Sequence, residues 1–164
     1  MKKPITTIIF VLLSILLGGC SADCDHTQER PAGQSDVIAL ACDPIPVVRV
    51  GFIGLGMRGI GAVERFMYLD SVEVVALCDL EAENLARSQA VLREKAKPEA
   101  AEYMGPEGWK RLCERPDIDL VYISTDWLSH TPMAVYAMEQ GKHVAVEVPA
   151  AVTVEECWKL VDTA

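Results

Sequence analysis

The sequence predicts an α/β fold in which helices cover both faces of a parallel, doubly wound sheet. Short apolar runs alternate with helical patterns over most of the chain, and the runs are nearly continuous in hydrophobicity. Such runs are typical of strands buried on both faces, as in parallel sheets with covering helices. The first run, residues 47–53, leads directly into a glycine-rich turn and a helical pattern, which makes the predicted fold Rossmann-type.

The glycine-rich turn is Gly54-Leu55-Gly56-Met57-Arg58-Gly59, and the helix behind it is predicted to open at Ile60. In this spacing Gly54 permits the tight turn, Gly56 lets a pyrophosphate approach the backbone, and Gly59 lets helix and strand pack closely. The helix N-terminus offers unpaired N–H groups and the positive end of its dipole to phosphates. The turn therefore predicts a dinucleotide site.

An acidic residue completes the pattern. The second apolar run, residues 72–78, ends in Asp79, where a ribose-binding carboxylate is expected about twenty residues after the turn. Asp79 is placed to accept hydrogen bonds from both ribose hydroxyls and to repel a 2′-phosphate, so NAD is favoured over NADP. The alternative is a structural turn in which Asp79 caps the next helix.

The remaining elements continue the alternation of helices and strands. Thr131 is predicted as an N-cap with Pro132 at the first helical position, and Thr153 to Glu156 as a capping box. In chain order we predict a helix over 81–95, a short helix carrying Trp109, a strand over 120–123, a helix from 131 to 140, a strand over 143–147 and a final helix from 154.

Ligands of such sheets lie beyond the carboxyl ends of the strands, which selects the segments 124–130 and 147–149. Trp127 is placed to pack against a nicotinamide or to line a sugar pocket, and His130 to donate to ligand oxygens. The alternatives are Trp127 in the core and His130 as an N-terminal cap. Arg58 lies beside the glycine-rich turn and is a candidate for the cofactor site. The alternative is an arginine that contacts only solvent.

The first twenty residues are predicted to be a signal peptide. Lys2 and Lys3 precede an apolar stretch at 8–17 that is too short to span a membrane. Leu17-Gly18-Gly19-Cys20 resembles the lipobox of bacterial lipoproteins, which implies export and a lipid anchor on Cys20. The alternative is a plain signal peptide that happens to contain a cysteine.

Residues 21–46 are polar and rich in proline, and we interpret them as a flexible tether before a domain over 47–164. A disulfide between Cys24 and Cys42 is chemically permitted in an oxidising compartment. The thiols of Cys78, Cys113 and Cys157 are expected to be buried and inert. No spacing among the cysteines indicates a metal site. The net charge of −9 argues against nucleic acid as a partner.

Several of these residues together resemble the glucose–fructose oxidoreductase/inositol dehydrogenase (Gfo/Idh/MocA) superfamily: the run 50–59, Asp79, His130, Gly141 to Val144, and Glu147-Val148-Pro149. More narrowly, the segments 125–132 and 146–151 are similar to glycoside hydrolase family 109, bacterial NAD-dependent α-N-acetylgalactosaminidases. The resemblance covers residues 48–164. It places the NAD contacts on Met57, Arg58, Asp79, Trp127, Leu128, Ser129, His130, Glu147 and Val148.

The resemblance implies hydrolysis of terminal α-linked N-acetylgalactosamine by transient oxidation at C3, elimination, water addition and return of the hydride to the sugar. Superfamily dehydrogenases usually have lysine in place of Val148, which favours the glycosidase. The alternatives are an exported NAD-dependent sugar oxidoreductase and a non-catalytic NAD-binding lipoprotein. Because the chain stops inside a capped helix without a second domain, we expect an N-terminal part of a longer protein and assign no catalytic residue.

Overall fold

The computed structural model describes residues 41–164. Five strands and five helices alternate along this part of the chain. The strands are β1 (Val48–Ile53), β2 (Val72–Asp79), β3 (Ala101–Met104), β4 (Leu120–Ile123) and β5 (His143–Val146). The helices are α1 (Met57–Phe66), α2 (Ala82–Glu94), α3 (Gly108–Cys113), α4 (Trp127–Glu139) and α5 (Val154–Thr163).

All five strands are parallel and lie in the order β3-β2-β1-β4-β5. Val48 of β1 lies opposite Val72 of β2, and Val50 lies opposite Leu120 of β4. The chain therefore winds outward from β1 in one direction and then returns to wind in the other. The reversal falls between β1 and β4, which is where open α/β sheets bind their ligands. This topology confirms the predicted Rossmann-type fold.

The sheet separates two apolar layers because successive side chains of each strand point to opposite faces. On one face Phe52 and Leu77 pack against Val63 of α1 and Leu92 of α2. On the other face the strands pack against α3 and α4 through Ile53, Val121, Ile123, Leu112 and Ala137. Burial of both faces accounts for the continuous hydrophobicity of the strands.

Two helix starts and one strand differ from the prediction. Helix α1 begins at Met57 rather than Ile60, so the glycine turn runs into the helix without a linker. Helix α4 begins at Trp127, because the Asp126 carboxylate accepts hydrogen bonds from the next N–H groups and acts as the N-cap. Thr131 and Pro132 therefore lie inside α4. Strand β3 was absent from the prediction, whereas the capping box before α5 is confirmed.

The cysteines divide by exposure. Burial raises the pKa of the Cys78 and Cys113 thiols to about 12, so both are inert at neutral pH, as predicted. The prediction for Cys157 is wrong, since it is exposed on α5, a helix without a buried residue. Cys42 is exposed and free, and its possible partner Cys24 lies outside the described residues.

The signal peptide, the lipidated Cys20 and the tether up to residue 40 are predictions that also fall outside the described residues. Between residues 41 and 164, none of the helices is long and apolar enough to cross a bilayer. The same part of the chain holds no group of three or more histidine, cysteine or acidic side chains arranged to bind a metal ion.

Candidate functional site

A cavity of about 890 Å³ lies at the carboxyl edge of the sheet, beside the reversal between β1 and β4. Ligand pockets commonly enclose about 300–1,000 Å³. Its walls come from the segments that follow the strands, and most of the predicted cofactor contacts lie in them: Gly54, Gly56, Met57, Arg58, Asp79, Trp127, Ser129, His130, Glu147 and Val148. Gly59 and Leu128 lie outside the lining.

The glycine turn has the geometry that its sequence predicts. Gly54 has a φ of +84°, a conformation that other residues rarely adopt. A Cβ atom at Gly59 would lie 1.9 Å from the carbonyl oxygen of Gly54, so the turn and α1 are in direct backbone contact there. At Gly56 an added Cβ would meet no atom within 4 Å. The space above Gly56 is therefore open to the cavity.

The start of α1 fits a phosphate group. Gly56 is its N-cap and provides no side-chain cap, and the first turn holds no acidic residue. The first N–H groups of a helix have no partner within the helix and carry its positive partial charge. Open space, free N–H groups and this charge are what the pyrophosphate of a dinucleotide requires. The residues at this turn therefore fit the predicted cofactor.

Asp79 ties the glycine turn to the end of β2. Its Oδ2 accepts a hydrogen bond from the Leu55 N–H at 2.6 Å. Its Oδ1 accepts from the Glu81 N–H at 2.9 Å and from Asn84 Nδ2 at 3.1 Å. The N-cap of α2 is Glu81, so Asp79 braces this helix without being its cap. The carboxylate is thereby held at the cavity wall.

The start of α4 presents an apolar rim. Asp126 accepts hydrogen bonds from the N–H groups of Leu128 and Ser129, and from the Ser129 hydroxyl at 2.6 Å. These bonds, led by that of Ser129, hold the pKa of Asp126 below its ordinary value. Trp127 is 64% exposed and lines the cavity, which contradicts the alternative that placed it in the core. Leu128 is exposed and lies outside the cavity lining.

His130 is only 1% exposed, and its Nδ1 lies 2.9 Å from the carbonyl oxygen of Pro149. Because a carbonyl oxygen only accepts, the proton of the ring is on Nδ1. The other ring nitrogen, Nε2, is buried and has no hydrogen-bond partner among residues 41–164, so a hydrogen bond between His130 and a ligand stays a prediction. His130 is not the N-cap of α4, because Asp126 occupies that position. Thr131 donates likewise to the Ala150 carbonyl at 2.9 Å, so α4 is fastened to the loop after β5.

Glu147 directly follows β5 and lies within reach of the positive charge of Arg58. The Tyr122 hydroxyl donates to its Oε1 at 2.7 Å. This hydrogen bond and the positive charge of Arg58 hold the pKa of Glu147 below its ordinary value. A charged carboxylate therefore lies near Arg58, whose side chain is exposed at the first turn of α1. Val148 follows as an exposed apolar residue of the cavity rim.

Sequence reasoning missed one side of the cavity, formed by residues after β2 and β3: Leu80, Glu81, Asn84, Gly105, Pro106 and Trp109. Gly105 and Pro106 directly follow the carboxyl end of β3, so the strand-end rule would have selected them had that strand been recognised. Asn84 lies inside α2, and only its contact with Asp79 reveals it.

A family profile decides the assignment. The profile described as "Oxidoreductase family, NAD-binding Rossmann fold" matches residues 48–164, which is the whole sheet with all its helices. The chain belongs to the Gfo/Idh/MocA oxidoreductase family. Its NAD-binding Rossmann domain agrees with the open glycine turn and with the position of Asp79.

Within the Gfo/Idh/MocA family, the chain is similar to curated glycosidases. It is 60% identical over 135 residues to a Bacteroides fragilis protein named α-N-acetylgalactosaminidase, covering 82% of this chain and 32% of the relative. It is 57% identical over 139 residues to glycosyl hydrolase family 109 protein 1 of Bacteroides thetaiotaomicron, covering 84% of this chain and 30% of the relative. The predicted resemblance to family 109 is confirmed. The chain spans about a third of the length of these curated relatives.

Solved structures of a dehydrogenase and a reductase share the fold. A Lactobacillus casei myo-inositol dehydrogenase, in complex with NAD(H) and myo-inositol, matches with a TM-score of 0.61 and 30% identity, covering 71% of this chain and 33% of that chain. A Synechocystis biliverdin reductase, in complex with biliverdin and NADP⁺, matches with a TM-score of 0.60 and 29% identity. The match covers 71% of this chain and 34% of that chain. Both nucleotides thus occur among the structural neighbours.

Proposed function

We propose that the complete protein is an NAD-dependent glycosidase that hydrolyses terminal α-linked N-acetylgalactosamine, and that this chain supplies its cofactor-binding part. The observation that carries the proposal is the 60% identity to the Bacteroides fragilis α-N-acetylgalactosaminidase. The identity to the myo-inositol dehydrogenase is 30%. The relation to the glycosidase is therefore much the stronger of the two.

Val148 is a second argument for the glycosidase. It is 81% exposed and lines the cavity directly after Glu147. The dehydrogenases that the chain resembles usually place a lysine here, which helps to handle the proton of the substrate. A valine side chain neither donates nor accepts a proton, so this position lacks the group that a dehydrogenase of that kind uses.

The cavity residues have separate tasks in this proposal. When bound, NAD supplies the reversible removal of a hydride at C3 of the sugar, with no net oxidation over the cycle. The N–H groups at the start of α1 bind the pyrophosphate, and Asp79 binds the adenosine ribose. Trp127 and Val148 offer an apolar surface on the other side of the reversal. We assign no acid or base between residues 41 and 164.

Export to a membrane surface completes the proposal. The basic start at Lys2 and Lys3, the apolar stretch at 8–17 and the lipobox-like sequence before Cys20 support a lipid anchor on that cysteine. An exported enzyme has no access to the cytoplasmic pool of NAD. A reaction without net redox change suits this location, because the cofactor needs no partner to regenerate it.

A sugar dehydrogenase is the second candidate, and the similarity to the NAD(H)-bound myo-inositol dehydrogenase favours it. The two candidates differ in what happens to the hydride. A dehydrogenase releases NADH as its substrate is oxidised, whereas the glycosidase returns the hydride to the sugar.

We expect the complete gene product to release p-nitrophenol from p-nitrophenyl α-N-acetylgalactosaminide without accumulating NADH. The release is followed by absorbance at alkaline quench and NADH by fluorescence in the same reaction. A Gly61→Ala variant serves as a control and should retain activity, because Gly61 lies on α1 away from the cavity lining. NADH accumulation without release of p-nitrophenol would instead establish a dehydrogenase, and the absence of both signals would leave only nucleotide binding.

A further inference from the structure

Asp79 has little capacity left for a ribose. An ionised carboxylate offers about four acceptor positions, two on each oxygen. Oδ1 already accepts from the Glu81 N–H and from Asn84 Nδ2, so it is fully used. Oδ2 accepts from the Leu55 N–H and retains one position. Asp79 can therefore bind one ribose hydroxyl, whereas the sequence alone had suggested two.

The adenosine ribose of NAD carries two hydroxyls, and the carboxylate of the Rossmann pattern characteristically binds the 2′-hydroxyl. The 3′-hydroxyl then needs another acceptor at the same end of the cavity. Asn84 lines the cavity, and its amide is oriented because Nδ2 must donate to Oδ1 of Asp79. Its carbonyl Oδ1 has no hydrogen-bond partner among residues 41–164.

We propose that Asn84 is a cofactor-binding residue whose Oδ1 accepts the 3′-hydroxyl of the adenosine ribose, while Asp79 Oδ2 accepts the 2′-hydroxyl. This assignment rests on the proposed use of NAD. One amide thus has two tasks, since Nδ2 orients the carboxylate and Oδ1 binds the sugar. Glu81 also lines the cavity, but its side chain is exposed and no hydrogen bond directs it toward Asp79.

The two residues should respond differently to NADP. A 2′-phosphate replaces the hydroxyl that Asp79 binds and meets its negative charge, whereas the 3′-hydroxyl is unchanged. Asn84→Ala is therefore expected to weaken the binding of both NAD and NADP, by about three- to tenfold for one neutral hydrogen bond. Alanine favours a helix more than asparagine, so the variant should fold.

The experiment is a binding cycle between variants and deoxy analogues of NAD. The complete protein is freed of cofactor by unfolding, dialysis and refolding, and affinities are measured by calorimetry for NAD, 2′-deoxy-NAD and 3′-deoxy-NAD, with the changes on the adenosine ribose. We expect Asn84→Ala to lose less affinity for 3′-deoxy-NAD than for NAD or 2′-deoxy-NAD, because only its contact with the 3′-hydroxyl is absent from that analogue. Asp79→Asn should lose least affinity for 2′-deoxy-NAD. Glu81→Gln tests the neighbouring carboxylate of the cavity wall and should show neither pattern. Glu83→Gln, at an exposed residue of α2 outside the cavity lining, is the matched control.

Four results would overturn the proposal. If Asn84→Ala and Asp79→Asn both couple to the same hydroxyl, Asn84 acts only by positioning Asp79. If Glu81→Gln couples to the 3′-hydroxyl, Glu81 is the second acceptor. If the unmodified protein binds NAD but Asn84→Ala binds it equally well, the assignment fails alone, whereas a protein that binds no NAD at all contradicts the proposed function as well.

Discussion

Gly56→Ala is expected to lower the affinity for NAD at least about tenfold while leaving the stability of the chain within about 1 kcal/mol. An added Cβ at Gly56 meets no protein atom within 4 Å, and the φ of −63° suits alanine. The methyl group instead occupies the space through which a pyrophosphate approaches the N–H groups of α1. Calorimetric titration with NAD and urea unfolding measure the two effects separately.

Alanine substitutions at two neighbouring glycines, Gly59 and Gly61, are expected to change stability rather than the affinity for NAD. At Gly59 the new Cβ would lie 1.9 Å from the Gly54 carbonyl oxygen, so Gly59→Ala should lower the free energy of unfolding by about 2–4 kcal/mol. At Gly61 the nearest atom is Arg65 Nη1 at 3.4 Å, so Gly61→Ala should stabilise the chain by about 0.5–1 kcal/mol. Unchanged NAD affinity in Gly56→Ala would contradict the placement of the pyrophosphate at this turn.

Asp79→Asn is expected to reduce the affinity for NAD about 10- to 100-fold and to narrow the preference for NAD over NADP. A hydrogen bond to a charged group contributes about 1.5–3 kcal/mol, and the amide also turns an NH₂ group toward one of the three donors that now face the carboxylate. Loss of the negative charge removes the repulsion of a 2′-phosphate.

The matched control for Asp79 is Glu81→Gln, which removes an exposed carboxylate from the same cavity wall but keeps the Glu81 N–H that donates to Asp79. This variant should change neither affinity by more than about twofold. Calorimetry with NAD and with NADP on the unmodified protein, Asp79→Asn and Glu81→Gln gives the ratio of the two affinities for each protein. If Asp79→Asn leaves both affinities unchanged, Asp79 is not the ribose ligand.

The sheet was predictable because burial on both faces makes its central strands continuously apolar, and because the glycine turn marks the first crossover. Strand β3 escaped prediction, since Ala101-Glu102-Tyr103-Met104 is a short edge strand of mixed polarity. The start of α4 was misplaced because Thr131-Pro132 imitates a helix start. The Asp126 carboxylate provides the actual cap, through donors that become adjacent only once the helix has formed.

Some residues of the candidate site were predictable from the sequence and others were not. Residues at or shortly beyond the carboxyl end of a strand, such as Asp79 and Trp127, were predictable from the strand-end rule. The contribution of Asn84 was not, because it depends on a contact made across the first turn of α2. The ring tautomer of His130 likewise depends on the Pro149 carbonyl, which lies 19 residues away in the chain.

The NAD content of the complete protein, purified without added cofactor, tests the central claim most directly. The protein is denatured, and the supernatant is assayed for NAD by an enzymatic cycling reaction. A glycosidase that returns its hydride in every cycle should retain its cofactor, so we expect stoichiometric NAD. A protein that is folded but free of NAD would contradict the account and would favour a dehydrogenase with an exchangeable cofactor or a binding protein.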